Sequence, residues 1–384
     1  MREVYLDHSA TSPIRPEAFQ ALQEAALRDF GNPSSLHRKG VDAERIISEA
    51  REVVAGALGG EPDEVVFTSG ATESNNMAIK GVARALSRYG NHIITTRIEH
   101  PSVFETCKQL EEEGFQVTYL HVKQDGMIDL DELREAIIPG TILVSIMHVN
   151  NETGIVQPVV QVGTLLKQMR EKITFHVDAV QSFCKLPVLP REWGIDLVSV
   201  SSHKIGGPKG VGALFIKKGT KIAPIILGGG QERGLRSGTE NVPGIAGFGA
   251  AVKAAMAGRE REASELDALR RRLIEKASAI KGARLVGAVE GCAPHIVNLS
   301  FPGLRGELLL HYLEERGVYV STGSACSSRS RALSRTLTAM GLTSDEAVGS
   351  IRISLGWNTT AEDIDYACEA LAACVAKLAA LVRR

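Results

Sequence analysis

No run of apolar residues in the 384-residue chain reaches the length that spans a bilayer, which argues against an integral membrane protein. No charge of one sign dominates either, since 44 Lys and Arg stand against 45 Asp and Glu. A chain without a basic field offers no electrostatic footprint for nucleic acid or an anionic membrane. The opening residues Met1–Asp7 contain no apolar signal-peptide core. Cysteine is sparse: six residues, at 107, 184, 292, 326, 368 and 374, with no CxxC and no close metal-ligand spacing. That excludes a disulfide framework and predicts no metal site. Reduced, mostly buried thiols in a cytoplasmic setting are expected instead. Internal repeats and low-complexity linkers are also missing. What remains, 44% hydrophobic and 23% charged, is ordinary for a globular protein with room for two domains.

What is present is an alternation. Short β-rich runs at 64–68, 92–96, 116–121, 142–147, 173–177, 196–201 and 212–216 interleave with helical stretches at 72–88, 101–113, 129–137 and 159–171. A helical apolar stripe at 40–58 precedes them and stops at Gly59-Gly60. Such alternation predicts an α/β fold, a mostly parallel sheet covered by helices, with ligands at the carboxyl ends of the strands. Near residue 246 the pattern changes to one long helix over 246–281, then strands at 284–287, 295–301, 318–320 and 350–355 among further helices. This reads as a smaller α+β unit. The division expected is a large domain over 16–250 and a small one over 251–384, joined by residues 1–15.

The segment Ser201-Ser202-His203-Lys204 follows one of the β-rich runs and precedes a glycine-rich turn. Asp178 closes an earlier run, Phe175-His176-Val177-Asp178. A lysine and an aspartate on neighbouring strand ends suit pyridoxal phosphate: the lysine holds the aldehyde, and the carboxylate keeps the pyridine nitrogen protonated. Phe67-Thr68-Ser69-Gly70-Ala71-Thr72 runs from a strand through a small-residue turn into a helix, whose free N–H groups favour a phosphate. Taken alone it reads more readily as a plain capped helix, and Ser201 and His203 as further donors give the phosphate reading its weight. His100, in a loop after a strand, suits stacking on a cofactor ring and proton exchange, although a lone loop histidine is more often a solvated side chain. Asn151 and Gln181 are amides near the same strand ends, where turn chemistry is the competing explanation.

Cys326 lies in the small, polar stretch 321–330, which cannot pack a core; an accessible thiol beside serines and Arg329 is a plausible nucleophile. Arg352, inside the alternating strand 350–355, needs an anionic partner. A substrate carboxylate and a structural salt bridge suit it equally. The glycine-rich segment 228–241, with Arg233, Arg236 and Thr239, is read either as a phosphate cradle or as a stretch ordered by a partner.

Together these stretches resemble the cysteine desulfurases over essentially the full length. The motifs that carry the resemblance are YLDHSAT at 5–11, FGNPSS at 30–35, FTSGATESNN at 67–76, EH at 99–100 and MHVNNETG at 147–154. They continue with HVDAVQ at 176–181, SSHKIGGPKG at 201–210, GGGQERGLRSGTEN at 228–241, STGSACSS at 321–328 and SIRISLG at 350–356. The resemblance implies the pyridoxal-phosphate-dependent aminotransferase-like fold (fold type I) and a homodimer. It implies removal of sulfur from L-cysteine, giving alanine and a persulfide on Cys326. A scaffold or sulfurtransferase protein would then accept that sulfur, for iron–sulfur cluster assembly or another use. It makes Lys204 the Schiff-base lysine, Asp178 the pyridine partner and His100 the stacking acid–base residue. Ala71, Thr72, Ser201 and His203 become the phosphate cup, with Thr239 supplied by the other subunit. Asn151 and Gln181 become cofactor amides, and Arg352 the carboxylate clamp. The longer tail with which some members bind a cluster scaffold has no counterpart after Arg384, so a particular scaffold does not follow. Cys184 stands where a glycine or other small residue is expected. A selenocysteine lyase, a transaminase of the same fold, or a catalytically idle sulfur-relay partner are the rival readings.

Overall fold

The computed structural model describes residues 2–322 and 333–382. Its strands are β1 (Val4–Tyr5), β2 (Val65–Thr68), β3 (His92–Thr96), β4 (Gln116–Leu120), β5 (Thr141–Met147) and β6 (Thr174–Asp178). They continue as β7 (Leu197–Ser201), β8 (Gly212–Ile216), β9 (Arg284–Val286), β10 (Ile296–Ser300), β11 (Val318–Tyr319) and β12 (Ser350–Ser354). Seven of them form one sheet in the order β2-β8-β7-β6-β5-β3-β4. Every pairing from β7 across to β4 is parallel; β8 runs antiparallel to both β2 and β7. The inner strand β5, Thr-Ile-Leu-Val-Ser-Ile-Met, is buried along its whole length, as a strand covered by helices on both faces must be. The edge strand β4 is half-exposed.

Parallel strands end on the same side. Thr68, Thr96, Met147, Asp178 and Ser201 therefore sit along one edge of the sheet, and the segments following them meet there.

A second, three-stranded sheet, β12-β10-β9, is antiparallel and has its own apolar core around Leu299, Phe301, Ile351 and Leu371. The β1 strand pairs in parallel with β11, and Val4 and Leu6 are buried in this same core. One continuous helix, Val242–Ser278, connects the two cores: Ile245, Phe248 and Val252 pack in the first, Leu266, Leu273 and Ile274 in the second. It begins four residues before the start read from composition, because Asn241 accepts a bond from Gly244 N–H and Pro243 suits a first turn. The helix Pro16–Leu27 was not legible beforehand. It buries alanines, Ala18 and Ala25, rather than a stripe of large apolar residues.

Candidate active site

A cavity of about 1010 Å³ opens at the carboxyl edge of the sheet. Its walls include Ala71, Thr72, His100, Asn151, Asp178, Gln181, Ser201, His203, Lys204 and Arg352. Each arrives by a local device. Gly70 takes φ +150, a conformation open to glycine, and so turns β2 into the helix Ala71–Leu86, whose first N–H groups face the cavity end. His100 caps the helix Pro101–Glu112. Asp178 is the last residue of β6 and 5% exposed. Lys204 lies in a short 3-10 turn directly after β7, with Nζ donating to the carbonyls of Ser9 at 2.6 Å and Ala10 at 2.8 Å.

Asp178 is held at both oxygens: Oδ1 accepts from Val180 N–H at 3.0 Å, and Oδ2 from Asn75 Nδ2 at 2.8 Å. Burial holds the His203 imidazole neutral, its pKa drawn down to about 3, with the nearby lysines acting in the same direction. Its Nδ1 meets Thr11 Oγ1 at 3.1 Å. Gln181 donates to Ser9 O at 3.0 Å, while its buried Oε1 has no protein partner. Of the two adjacent asparagines, Asn150 is consumed by the turn, accepting from Glu152 N–H, Thr153 N–H and Thr153 Oγ1. Asn151 is the one that lines the cavity, and its carbonyl accepts from Arg352 Nη1 at 2.9 Å.

Arg352 is 3% exposed. Its Nη2 pairs with Asp7 Oδ1 at 2.7 Å, and its Nε is buried without a protein partner. The structural salt bridge weighed as one of two explanations is therefore present, and the guanidinium still borders the cavity. Thr239 is exposed and is not among the residues lining this cavity. The arginines of its segment do not stand free for a phosphate: Arg236 pairs with Glu73 at 2.8 Å, and Arg233 donates to Val65 O. Cys326 lies outside the described residues. Cys184 adopts φ +59, the left-handed region that favours glycine, which accounts for the small residue expected there. Burial pushes its thiol up to about 12, so it is a poor nucleophile.

Sequence reasoning missed Asn75, Ser102, Asp7 and the Ser9–Thr11 backbone as parts of the site. Asp7 to Thr11 belonged to a recognised motif, but nothing local says that the first strand of one unit reaches the strand ends of the other. Glu99 was also passed over. Its carboxyl accepts from Thr96 Oγ1 and Met147 N–H, and burial pushes its pKa up to about 8.

The donor set fits pyridoxal phosphate. A helix N-terminus, Ser201, neutral His203 and Lys209 offer donors for a dianion at one end. A held carboxylate, a lysine and a planar imidazole stand farther along, and Gln181 Oε1 is a buried acceptor awaiting a donor. Among the described residues no cluster of side chains could hold a metal ion, and no helix is long and apolar enough to cross a membrane.

The aminotransferase class-V family model matches residues 4–367. The chain is 48% identical to cysteine desulfurase IscS of Dictyoglomus turgidum, over 98% of this chain and 95% of that one. It is 45% identical to the mitochondrial cysteine desulfurase of Arabidopsis thaliana, over 98% of this chain and 83% of the relative. A solved structure of a NifS-like protein superposes with a TM-score of 0.93 at 39% identity, covering 98% of this chain and all of the other. With matches this extensive and a cavity whose donors fit the cofactor, the chain belongs to the cysteine desulfurases, pyridoxal-phosphate-dependent enzymes of the class-V aminotransferase family.

Proposed function

We propose that this cavity is where L-cysteine gives up its sulfur to Cys326, leaving alanine. The observation that supports the reading most is the meeting of Lys204, Asp178 and His100 at one sheet edge, beside a helix N-terminus. Bound pyridoxal phosphate supplies an electron sink that makes the substrate Cα–H acidic and lets the sulfur depart. Ala71, Thr72, Ser201 and His203 bind the phosphate. Asp178 holds a proton on the ring nitrogen. Lys204 would hold the cofactor, and its Nζ is the group that would move the substrate Cα proton. His100 would lie against the cofactor and is the imidazole that would exchange a proton with the substrate. Asn151 and Gln181 orient the cofactor and substrate. Arg352 receives the substrate carboxylate, sharing its guanidinium with Asp7. Cys326, as thiolate, accepts the sulfur as a persulfide and passes it to an acceptor protein in the cytoplasm.

The active unit in this reading is a homodimer, with Thr239 reaching the partner's phosphate site. Phe19, Leu27, Phe30, Leu36 and Leu227 are each at least half exposed, a cost that a partner copy relieves. A monomeric mass in solution with full turnover would contradict this.

The reading of Cys326 is tested by Cys326→Ser. The variant should retain the cofactor but lose sulfur transfer, and mass spectrometry of the wild type after brief exposure to cysteine should place one extra sulfur on the peptide carrying Cys326. Normal sulfide and alanine production by Cys326→Ser would overturn it.

A further inference from the structure

His100 is the N-cap of a twelve-residue helix, and that position constrains its chemistry. Its Nδ1 accepts the backbone N–H of Ser102 at 3.2 Å. A backbone N–H can donate but never accept, so Nδ1 carries no proton. The Ser102 hydroxyl lies 2.8 Å from the same nitrogen. Asn75, fully buried, points its amide nitrogen at two acceptors: Asp178 Oδ2 at 2.8 Å and Ser102 Oγ at 2.8 Å. The orientation of this amide is set by chemistry. The Asp178 carboxylate accepts, so the NH₂ end must face it, and its second proton goes to Ser102. With Oγ accepting from Asn75, the hydroxyl proton is left for His100 Nδ1. The buried Asn75 Oδ1 is left without a protein partner, the cost of this arrangement.

We propose that Asn75 and Ser102 are positioning residues that hold His100 as the tautomer protonated on Nε2 and tie its ring to Asp178. The inference rests on the reading of His100 as the residue that works beside the cofactor. It adds which nitrogen has a proton to give: a neutral ring donates from Nε2, while Nδ1 stays engaged with the helix start. Two donors to Nδ1 stabilise the neutral ring, and burial works in the same direction. The charged groups facing His100 are Asp178, which favours its protonation, and Lys204 and Arg335, which oppose it. Glu99, Glu105 and Glu152 line the same cavity.

The test is ¹⁵N NMR of the holoenzyme labelled at histidine, with the His100→Gln variant identifying the signal. The wild type should show an unprotonated Nδ1 and a protonated Nε2 at neutral pH. Ser102→Ala removes one donor to the neutral form, so the His100 protonation constant should rise about three- to tenfold. Asn75→Ala should move it in the same direction, and Ser102→Thr should restore the wild-type titration. A proton on Nδ1 in the wild type would overturn the proposal without any variant having to fold. An unchanged titration in a folded Ser102→Ala protein would overturn it too. If the tautomer is found but cysteine is not desulfurated, the catalytic reading fails while the positioning network stands.

Discussion

Asp178 and His100 reach the cavity from the ends of strands in one sheet, whereas Arg352 reaches it because two separate cores pack against each other. The first wall is built locally. The β2, β3 and β6 strands run parallel, so their following segments converge, and the bonds Asp178–Asn75–Ser102–His100 close over short distances between neighbouring elements. The second wall joins Asp7, from the start of the chain, to Arg352 in β12, 345 residues later, and to the carbonyl of Asn151 in the large unit. The proposed function gives the first wall the chemistry and Arg352 the substrate carboxylate, while the same guanidinium already bonds Asp7 and the Asn151 carbonyl.

The largest effect that would sharpen this contrast is expected from Arg352→Met. Removing one partner of a buried ion pair costs roughly 3 kcal/mol, because the other charge is stranded. Asp7 keeps 20% of its side chain exposed, so hydration offsets part of that cost. The variant should show a lower melting temperature together with a raised KM for cysteine. A raised KM with unchanged stability would mean that the second wall is no fastening at all.

The first wall is probed by Glu99→Gln, a smaller effect read through pH. A carboxyl whose folded pKa is raised to about 8 keeps its proton in the native state. The unfolded chain releases it near the ordinary carboxylate value of about 4.3. The stability this group contributes is therefore complete below that value and is lost as pH rises through about 8. Glutamine mimics the protonated acid, so the variant should be the more stable form at pH 8, with the difference vanishing near pH 4. Thermal melts of both proteins across that range measure it, and parallel curves would show an ionised Glu99. The KM for cysteine should stay unchanged, in contrast to Arg352→Met.

The smallest effect is expected from Cys184→Gly, three residues beyond Gln181. Glycine relieves a left-handed backbone worth about 1 kcal/mol but gives up a buried side chain of similar value. Stability should change by less than about 1 kcal/mol, and turnover should not change. A large loss of activity would make the Cys184 thiol part of the chemistry.

Much of the first wall was legible beforehand. The β-rich runs and helical stretches of the large unit lie within a few residues of the observed elements, and Lys204, Asp178, His100, Ser201 and Thr72 line one cavity. A parallel sheet converts strand order into spatial convergence, so a motif placed after a strand is already placed at the site. The segment 228–241 shows the limit. Its glycines and arginines read either as a phosphate cradle or as a stretch ordered by a partner, and within one chain Arg236 is paired with Glu73 and Arg233 with the Val65 carbonyl. Composition alone cannot say which partner a charged side chain will meet.

By itself the sequence determined the alternation of strands and helices, the glycine turn into the helix Ala71–Leu86 and the residues gathered at the strand ends, because periodicity and turn chemistry act over a few neighbours. Tertiary structure alone decided that Asp7 would hold Arg352, that Asn75 would face Asp178 and Ser102 together, and that Glu99 would be buried deeply enough to push its pKa up. Hydrogen bonds of this kind are specified by direction and distance, and those exist only once the chain has closed on itself.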